Sequence, residues 1–187
     1  RAGLHVFLEK PMGVNREEMD AILRAQKSSG RHLAIDFELR VSFLGRRVKE
    51  LLESGEIGAP VSVEFIHHRG AWLARGNNVW RTDPARSGGL YFMEVCHEID
   101  VFRHWFGEIE AVQSFAAPNV LPQYRDGMPD NVCTHLWFRQ GGRGLILTSR
   151  FRGFGGLSGF RLDAKGERFI AISDKGGWFT GRVVYKG

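Results

Sequence analysis

The chain has 187 residues, 43% hydrophobic and 12% aromatic, with a formal net charge of +5 at pH 7, and this composition predicts a soluble globular protein with one good core. We expect no membrane partner, because no apolar run is long enough to cross a bilayer. We expect no signal peptide, because charged residues follow the first few apolar ones. Since Cys96 and Cys133 form no CxxC pair, we also expect no disulfide framework and no zinc module, and we expect a reducing, cytoplasmic setting.

The first elements in chain order predict a strand, a helix and a second strand. Residues 5–8 form a short apolar run that ends at Lys10-Pro11. Because a residue before proline favours an extended backbone, Lys10 is expected at the carboxyl end of this strand. A capped helix follows over 15–30 and a strand over 32–37. Together they predict a βαβ unit with parallel strands, and open α/β sheets bind ligands at the carboxyl ends of such strands.

A second pattern starts at Arg40. Residues 43–52 predict an amphipathic helix, and 61–67 alternate as a half-buried strand does. A long loop over 69–86 is rich in Gly, Asn, Arg and Trp, and long loops in compact domains are usually functional. After residue 107 the chain is β-rich, with glycine-containing turns that predict antiparallel hairpins. These strands are predicted at 109–116, 131–139, 144–152, 159–163, 169–173 and 178–185.

Between the loop and these strands, residues 87–107 predict a central helix with one apolar face. Glu94, His97 and Asp100 recur at every third residue and would lie along one side of it. Titratable groups on an apolar helix are costly to bury unless they are paired or used. Taken alone, the pattern favours a structural histidine held by Asp100, and a functional role needs support from elsewhere in the chain.

That support comes from motifs in register. AGLHVFLEKPM, FELR, LLESGEIGAPVSVE, WRTDP, SGG and CHEIDVFRHWFGE, in this order and at these distances, resemble the Gfo/Idh/MocA oxidoreductases, which are NAD(P)-dependent dehydrogenases of sugars, inositols and similar polyols. The resemblance covers residues 1 to about 120 well and the later strands in general character.

The resemblance implies an α+β fold in two parts. Residues 1–38 would be the tail of a dinucleotide-binding (Rossmann) domain, a C-terminal βαβ remnant. Residues 39–187 would form a substrate and oligomerisation domain, a mixed or antiparallel open-faced sheet covered by helices. Because no GxGxxG turn occurs in the sequence, we expect the chain to be a partial copy that binds NAD or NADP weakly or not at all. The complete protein would act on a small polyol or sugar and pair as a homo-dimer or tetramer through the open sheet face.

The resemblance also assigns roles to single residues. Lys10 matches a lysine that contacts the substrate hydroxyl and the nicotinamide, and His97 matches a histidine that shares the proton transfer. Asp100 would fix the imidazole tautomer of His97. The positions expected near the cofactor are Glu9, Lys10, Pro11, Arg40, Trp80 and Arg81.

One position departs from the family pattern. Many relatives carry an aspartate four residues before this histidine, where the present chain has Met93. Glu94 is the next residue, but it is rotated by about 100° around an α-helix. Glu94 can therefore support catalysis in place of that aspartate only if the helix is shifted.

Two binding alternatives stay open. An RNA-recognition strand is suggested by Arg152-Gly153-Phe154-Gly155 with nearby aromatic and arginine side chains, but the match ends after four residues and we expect no nucleic-acid partner. The side chains concerned are Phe151, Phe154, Phe160, Arg143, Arg150, Arg152 and Arg161. A metal site would use His97 with Cys133 and His135, which face the same way on a strand; we expect no metal.

A third alternative is a non-catalytic protein of the same fold. A chain without the nucleotide-binding half could serve as an oligomeric binding or scaffold module, and the strands after Asn131 would supply its contact surface.

Overall fold

The computed structural model describes residues 3–70, 76–116, 121, 124, 128–150, 157–163, 165, 167–173 and 178–182. The first half of the chain forms β1 (Val6–Leu8), α1 (Arg16–Ser29), β2 (Leu33–Ile35), α2 (Phe43–Glu53), β3 (Ser62–His68), α3 (Pro84–Ser87) and α4 (Cys96–Phe106). The second half forms β4 (Ile109–Ala116), β5 (Asn131–Phe138), β6 (Arg143–Ser149), β7 (Leu157–Leu162), β8 (Arg168–Ser173) and β9 (Trp178–Arg182). Helices and separate sheets confirm the α+β class expected from the sequence.

The βαβ unit forms where the sequence predicts it. Strands β1 and β2 pair in parallel, with Val6 opposite Leu33. The Asn15 side chain accepts a hydrogen bond of 2.8 Å from the Glu18 N–H, and the Glu18 carboxylate accepts one of 3.0 Å from the Val14 N–H, so the start of α1 is capped from both sides. Because β1 and β2 run in the same direction, their carboxyl ends deliver Lys10 and the 3₁₀ turn Glu38–Arg40 to one edge.

A mixed four-stranded sheet carries the main core. Its order is β3-β6-β5-β4, with β3 parallel to β6 and the other pairs antiparallel. Alternate residues of β5 are buried, and helix α4 covers that face, where the rings of Phe106 and Phe138 stack with centroids 5.0 Å apart. The remaining buried members of this core are Leu90, Val95, Val101, Phe102, Val132, Leu136 and Ile146.

A third sheet is formed by the last strands. Its order is β7-β8-β9 and both pairs are antiparallel, as the turn residues predict. The predicted strand residues 151–152 and 183–185 lie outside the described residues. None of the helices in the described ranges combines the length and apolar character of a membrane-crossing segment.

The central helix differs from the regular helix that the sequence predicts. Residues Tyr91–Val95 form a π-helical turn, in which the Cys96 N–H donates to the Tyr91 carbonyl five residues back, and α4 begins only at Cys96. Such wide turns are frequent at functional sites. Because the turn contains an extra residue per helical turn, it changes which side chains before it share a face with those after it.

Helix α2 is held against α4 through Gly45. Ser42 caps α2 by accepting from the Gly45 N–H at 3.0 Å, and the Trp105 indole donates to the Gly45 carbonyl at 3.0 Å. A Cβ atom at position 45 would overlap the Leu39 carbonyl oxygen. The close approach of the α2 backbone at Gly45 to the Leu39 carbonyl therefore requires glycine here.

Gly45→Ala tests this packing. Helix propensity alone would stabilise the variant by about 1 kcal/mol, but the overlap with Leu39 leads us to expect a loss at the upper end of the ~1–3 kcal/mol typical of overpacking. Urea denaturation gives the free energy of unfolding, and Arg47→Ala, on the exposed side of the same helix, is the control with little expected effect. A Gly45→Ala variant as stable as the parent would contradict the close approach.

Candidate active site

A cavity of about 170 Å³ lies where the end of β1, the 3₁₀ turn after β2, the end of β3 and the central helix meet. Its walls hold both residues that the sequence analysis places at the centre of the chemistry, Lys10 and His97. The other lining residues are Glu38, Leu39, Phe65, His67, Arg69, Glu94 and Glu98. Two side chains far apart in the sequence therefore face one small space.

Lys10 is fixed by the π-helical turn. Its Nζ donates to the Met93 carbonyl at 2.7 Å. Glu9 accepts a hydrogen bond of 3.1 Å from the Lys10 backbone N–H, and a cis peptide bond joins Lys10 to the half-buried Pro11. Met93, the residue that departs from the family pattern, thus holds the ammonium group with its backbone carbonyl.

His97 is largely buried and neutral. Burial and the charge of Lys10 lower the pKa of His97, although the carboxylates of Glu38 and Glu9 act in the opposite direction. Its Nδ1 lies 3.2 Å from Glu38 Oε2, close enough for an electrostatic contact but without the geometry of a hydrogen bond. A neutral imidazole can take up a proton.

Asp100 has a different partner from the one expected. Arg40 donates to its two carboxylate oxygens, from Nε at 2.5 Å and from Nη2 at 2.6 Å, and this hydrogen bonding raises the pKa of Arg40. The expected contact of Asp100 with His97 is therefore wrong, because the bidentate pair with Arg40 occupies the carboxylate and Glu38 faces the imidazole instead. Arg40, expected near the cofactor, ties the 3₁₀ turn to α4.

Glu94 reaches the cavity from the π-helical turn. Its buried carboxylate contacts the Arg150 guanidinium and lies 3.8 Å from Arg69 Nη1. Burial, with added repulsion from Arg69 and Arg81, lowers the pKa of Arg150 to about 9. Glu94 therefore lines the cavity from within a widened helical turn, and its replacement of an aspartate at position 93 stays a prediction.

His67 lies beside this ion pair on β3. Burial first, and then the charges of Arg69 and Arg150, lower the pKa of His67 to about 4. Glu94 Oε2 is 3.7 Å from His67 Nδ1, but the charge of Glu94 is already compensated by Arg150. Burial therefore remains the largest influence on the pKa of His67. His67 is therefore neutral at neutral pH.

Glu98 is a lining residue whose carboxyl group is buried, unlike most glutamates. It follows His97 directly, is only 4% exposed, and has one oxygen, Oε2, with no hydrogen-bond partner among the described residues. Burial raises the pKa of Glu98 to about 7. A substantial fraction of the molecules therefore carry this carboxyl protonated at neutral pH.

The sequence analysis missed several lining residues, although weak signals for two of them were present. Glu38 belongs to the FELR motif and directly follows the second predicted strand, and Glu98 is a further charged residue on the apolar central helix. No local pattern distinguishes His67 on the half-buried strand or Arg69 just after it. Their position beside Glu94 follows from tertiary pairing alone.

Trp80 and Arg81 lie in the 3₁₀ segment Gly76–Thr82, outside the cavity lining. The Arg81 guanidinium sits over the Trp80 ring, 4.9 Å from its centroid. Residues 71–75 of the predicted functional loop lie outside the described residues. The role of Trp80 and Arg81 at a cofactor stays a prediction.

The structure describes some of the residues on which the RNA-binding and metal-binding alternatives depend. Arg150 is buried against Glu94, and Arg143 lies over the Trp137 ring at 5.6 Å; Phe151, Arg152, Phe154 and the side chains of Phe160 and Arg161 lie outside the described residues. For the metal alternative, no group of three or more His, Cys, Asp or Glu residues in the described ranges is arranged to hold an ion.

Comparisons with known proteins all find similarity to oxidoreductases. The sequence profile of the GFO/IDH/MocA C-terminal domain matches residues 46–177. Oxidoreductase P35 of Formosa agariphila is 36% identical over 59% of this chain and 36% of its own length, and myo-inositol 2-dehydrogenase of Thermotoga maritima is 26% identical over 99% of this chain and 57% of its own.

The fold has solved counterparts. The WlbA dehydrogenase from Bordetella pertussis, crystallised with NADH and UDP-GlcNAcA, superposes with a TM-score of 0.71 at 22% identity, over 96% of this chain and 49% of that one. The chain thus spans only part of the length of the relatives that it matches.

The acid stability of the protein depends on His67. Because its pKa is about 4 when folded and about 6.5 when unfolded, its contribution is fully present above pH 6.5 and is lost as the pH falls towards 4. These two pKa values correspond to about 3 kcal/mol between pH 7.5 and 4. Because the ring is only partly shielded from solvent, we expect the free energy of unfolding of His67→Gln, measured by urea denaturation, to fall by roughly 1–2 kcal/mol less than that of the parent. His135→Gln, at an exposed position on β5, should follow the parent, and parallel curves for His67→Gln would contradict the assignment.

Proposed function

The chain belongs to the Gfo/Idh/MocA family, and on that premise we propose that the protein is an NAD(P)-dependent oxidoreductase that exchanges a hydride with a sugar, inositol or similar polyol. The observation that carries the proposal is the shared cavity of Lys10 and His97. The activities named for its relatives, such as myo-inositol 2-dehydrogenase, support the substrate class.

The proposed chemistry divides the proton work between two side chains. Oxidising a secondary alcohol removes a proton from its oxygen and a hydride from its carbon. His97 is neutral and receives the proton, and Glu38, 3.2 Å from Nδ1, stabilises the imidazolium that results. The Lys10 ammonium, held by the Met93 carbonyl, positions the hydroxyl and stabilises negative charge on its oxygen.

The buried carboxylate of Glu94 supports this pair without becoming a base itself. Arg150 contacts it and Arg69 lies within 3.8 Å, so its charge is compensated inside the protein. We assign Glu94 to the position of the missing aspartate, and Glu9 to orienting Lys10 through its backbone N–H.

The residues present fit only the reacting end of the cofactor. A cavity of about 170 Å³ is smaller than the ~300–1,000 Å³ of typical ligand pockets, so it cannot hold a whole dinucleotide. NAD(P), when bound, supplies the hydride acceptor. Lys10 and Pro11 would contact its nicotinamide end, while the sequence has no GxGxxG turn for its pyrophosphate.

Substitution of the lysine tests the proposal in the full-length gene product. We expect Lys10→Met to lower kcat by ~10²-fold or more with myo-inositol or another accepted polyol, because the ammonium no longer positions the hydroxyl. Lys49→Met, on α2 and paired with Glu53, should retain the parent rate. Equal rates for both lysine variants, with NAD⁺ and with NADP⁺, would remove Lys10 from the chemistry.

A second candidate function, assembly through the open sheet face, is favoured by exposed apolar side chains. On the face of the four-stranded sheet opposite α4, Ile66 is 54% exposed and Phe115 is 61% exposed, and Trp137, Leu145 and Leu147 share that face by strand register. The same register also places Glu64, Gln113 and His135 on this face, and a partly apolar exposed surface of this kind is typical of an oligomer contact. We propose a homo-dimer or tetramer through this face.

Phe115→Lys should break this contact, because it places a charge in an apolar interface. Light scattering should then give a lower mass than for the parent at the same concentration. Phe43→Lys introduces the same charge at an 83% exposed phenylalanine on α2 and should leave the mass unchanged. A parent protein that is already monomeric would reject assembly through the sheet.

A further inference from the structure

Glu98 is a polar group inside the cavity that the proposed proton transfer does not use. Its side chain lines the cavity next to His97 and is almost fully buried. Oε2 is buried and has no hydrogen-bond partner among the described residues. A buried acceptor without a partner is destabilising. Because the Glu98 side chain also lines the cavity, a molecule bound there can supply this carboxyl group with a hydrogen-bond partner.

The surroundings of Glu98 define what that partner is. Charged groups face it from three other elements: Lys10 after β1, Arg69 after β3 and Glu38 in the 3₁₀ turn. On its own helical segment, His97 and Glu94 also line the cavity. Burial outweighs the two positive charges, so the carboxyl exists in both protonation states near pH 7.

A hydroxyl is the ligand group that suits both states. It donates to a carboxylate and accepts from a carboxylic acid, whereas an ammonium group suits only the first and a carboxylate only the second. The lining residues carry charges of both signs, Lys10 and Arg69 against Glu38 and Glu94, with Arg150 paired to Glu94. Without a large excess of either sign, the cavity favours a neutral ligand.

We propose that Glu98 binds a second hydroxyl of the substrate and so selects neutral molecules with two neighbouring hydroxyls, one facing Lys10 and His97 and the other facing Glu98. The inference rests on the proposed function, since it assigns the substrate of the same cavity. Glu98 is a specificity-determining residue, and it accepts or donates a hydrogen bond without taking part in the hydride step.

Two small probes that differ by one hydroxyl test this selection at pH 7 with the full-length gene product. The probes are cis-cyclohexane-1,2-diol and cyclohexanol, with dissociation constants measured by NMR titration. We expect the diol to bind about tenfold more tightly to the parent, the ratio that one neutral hydrogen bond provides. Glu98→Leu should reduce the ratio to about one, and Glu98→Gln, which keeps a donor and an acceptor of the same shape, should keep most of it.

A control and a second measurement complete the test. Glu50→Gln, on the exposed side of α2, should show the parent ratio. In the parent protein the carboxyl ¹³C signal of Glu98 should shift with the diol and not with cyclohexanol, a result that needs no variant to fold.

The outcomes separate this inference from the proposed function. A tenfold preference that survives in Glu98→Leu, or a Glu98 signal that the diol leaves unchanged, would overturn the role of Glu98 while polyol oxidation by the parent could still stand. A parent protein that binds neither probe would overturn the inference together with the polyol substrate class.

Discussion

The hydrogen bond from Lys10 Nζ to the Met93 carbonyl is the contact on which the site depends. It joins the end of β1, in the small βαβ unit, to the π-helical turn that precedes α4. A regular helix pairs its own carbonyls internally, so a wide turn at this position makes it possible for a backbone carbonyl to receive a side chain from another part of the fold. The same turn brings Glu94 to the cavity beside His97. The π-helical turn therefore contributes directly to bringing Lys10 close to His97.

The charges around the cavity are arranged in pairs that leave the histidines neutral. Arg150 contacts Glu94 and Arg40 binds Asp100. Glu38 beside His97 favours the charged imidazole, but burial and Lys10 outweigh it. The arginines in these ion pairs neutralise the carboxylates of Glu94 and Asp100. For His67, His97 and Glu98 the largest influence is therefore burial, which lowers the pKa of both histidines and raises that of Glu98. The cavity thus holds neutral histidines and a carboxyl group of raised pKa without a large net charge, which is the basis for proposing a neutral polyol as its ligand.

The sequence predicts most of the fold because its signals are local. Strand alternation, the Asn15 cap and the glycine turns place the helices and strands close to their observed bounds, and the motif resemblance brings Lys10 and His97 forward as a pair. The partner of Asp100 was wrong because a spacing of three residues on an ideal helix suggests contact with His97, whereas tertiary packing brings Arg40 closer. The π-helical turn is likewise an outcome of packing for which the local sequence carries no distinct signal, and the burial of Glu98 is indicated only weakly by its place on an apolar helix.

The central claim is that Lys10 and His97 act on one substrate hydroxyl. A crystal structure of the full-length gene product with a bound polyol substrate measures this directly. The account predicts a hydroxyl oxygen within hydrogen-bond distance, about 2.6–3.2 Å, of both Lys10 Nζ and an imidazole nitrogen of His97. A substrate bound in another part of the protein, with neither side chain in contact, would contradict it.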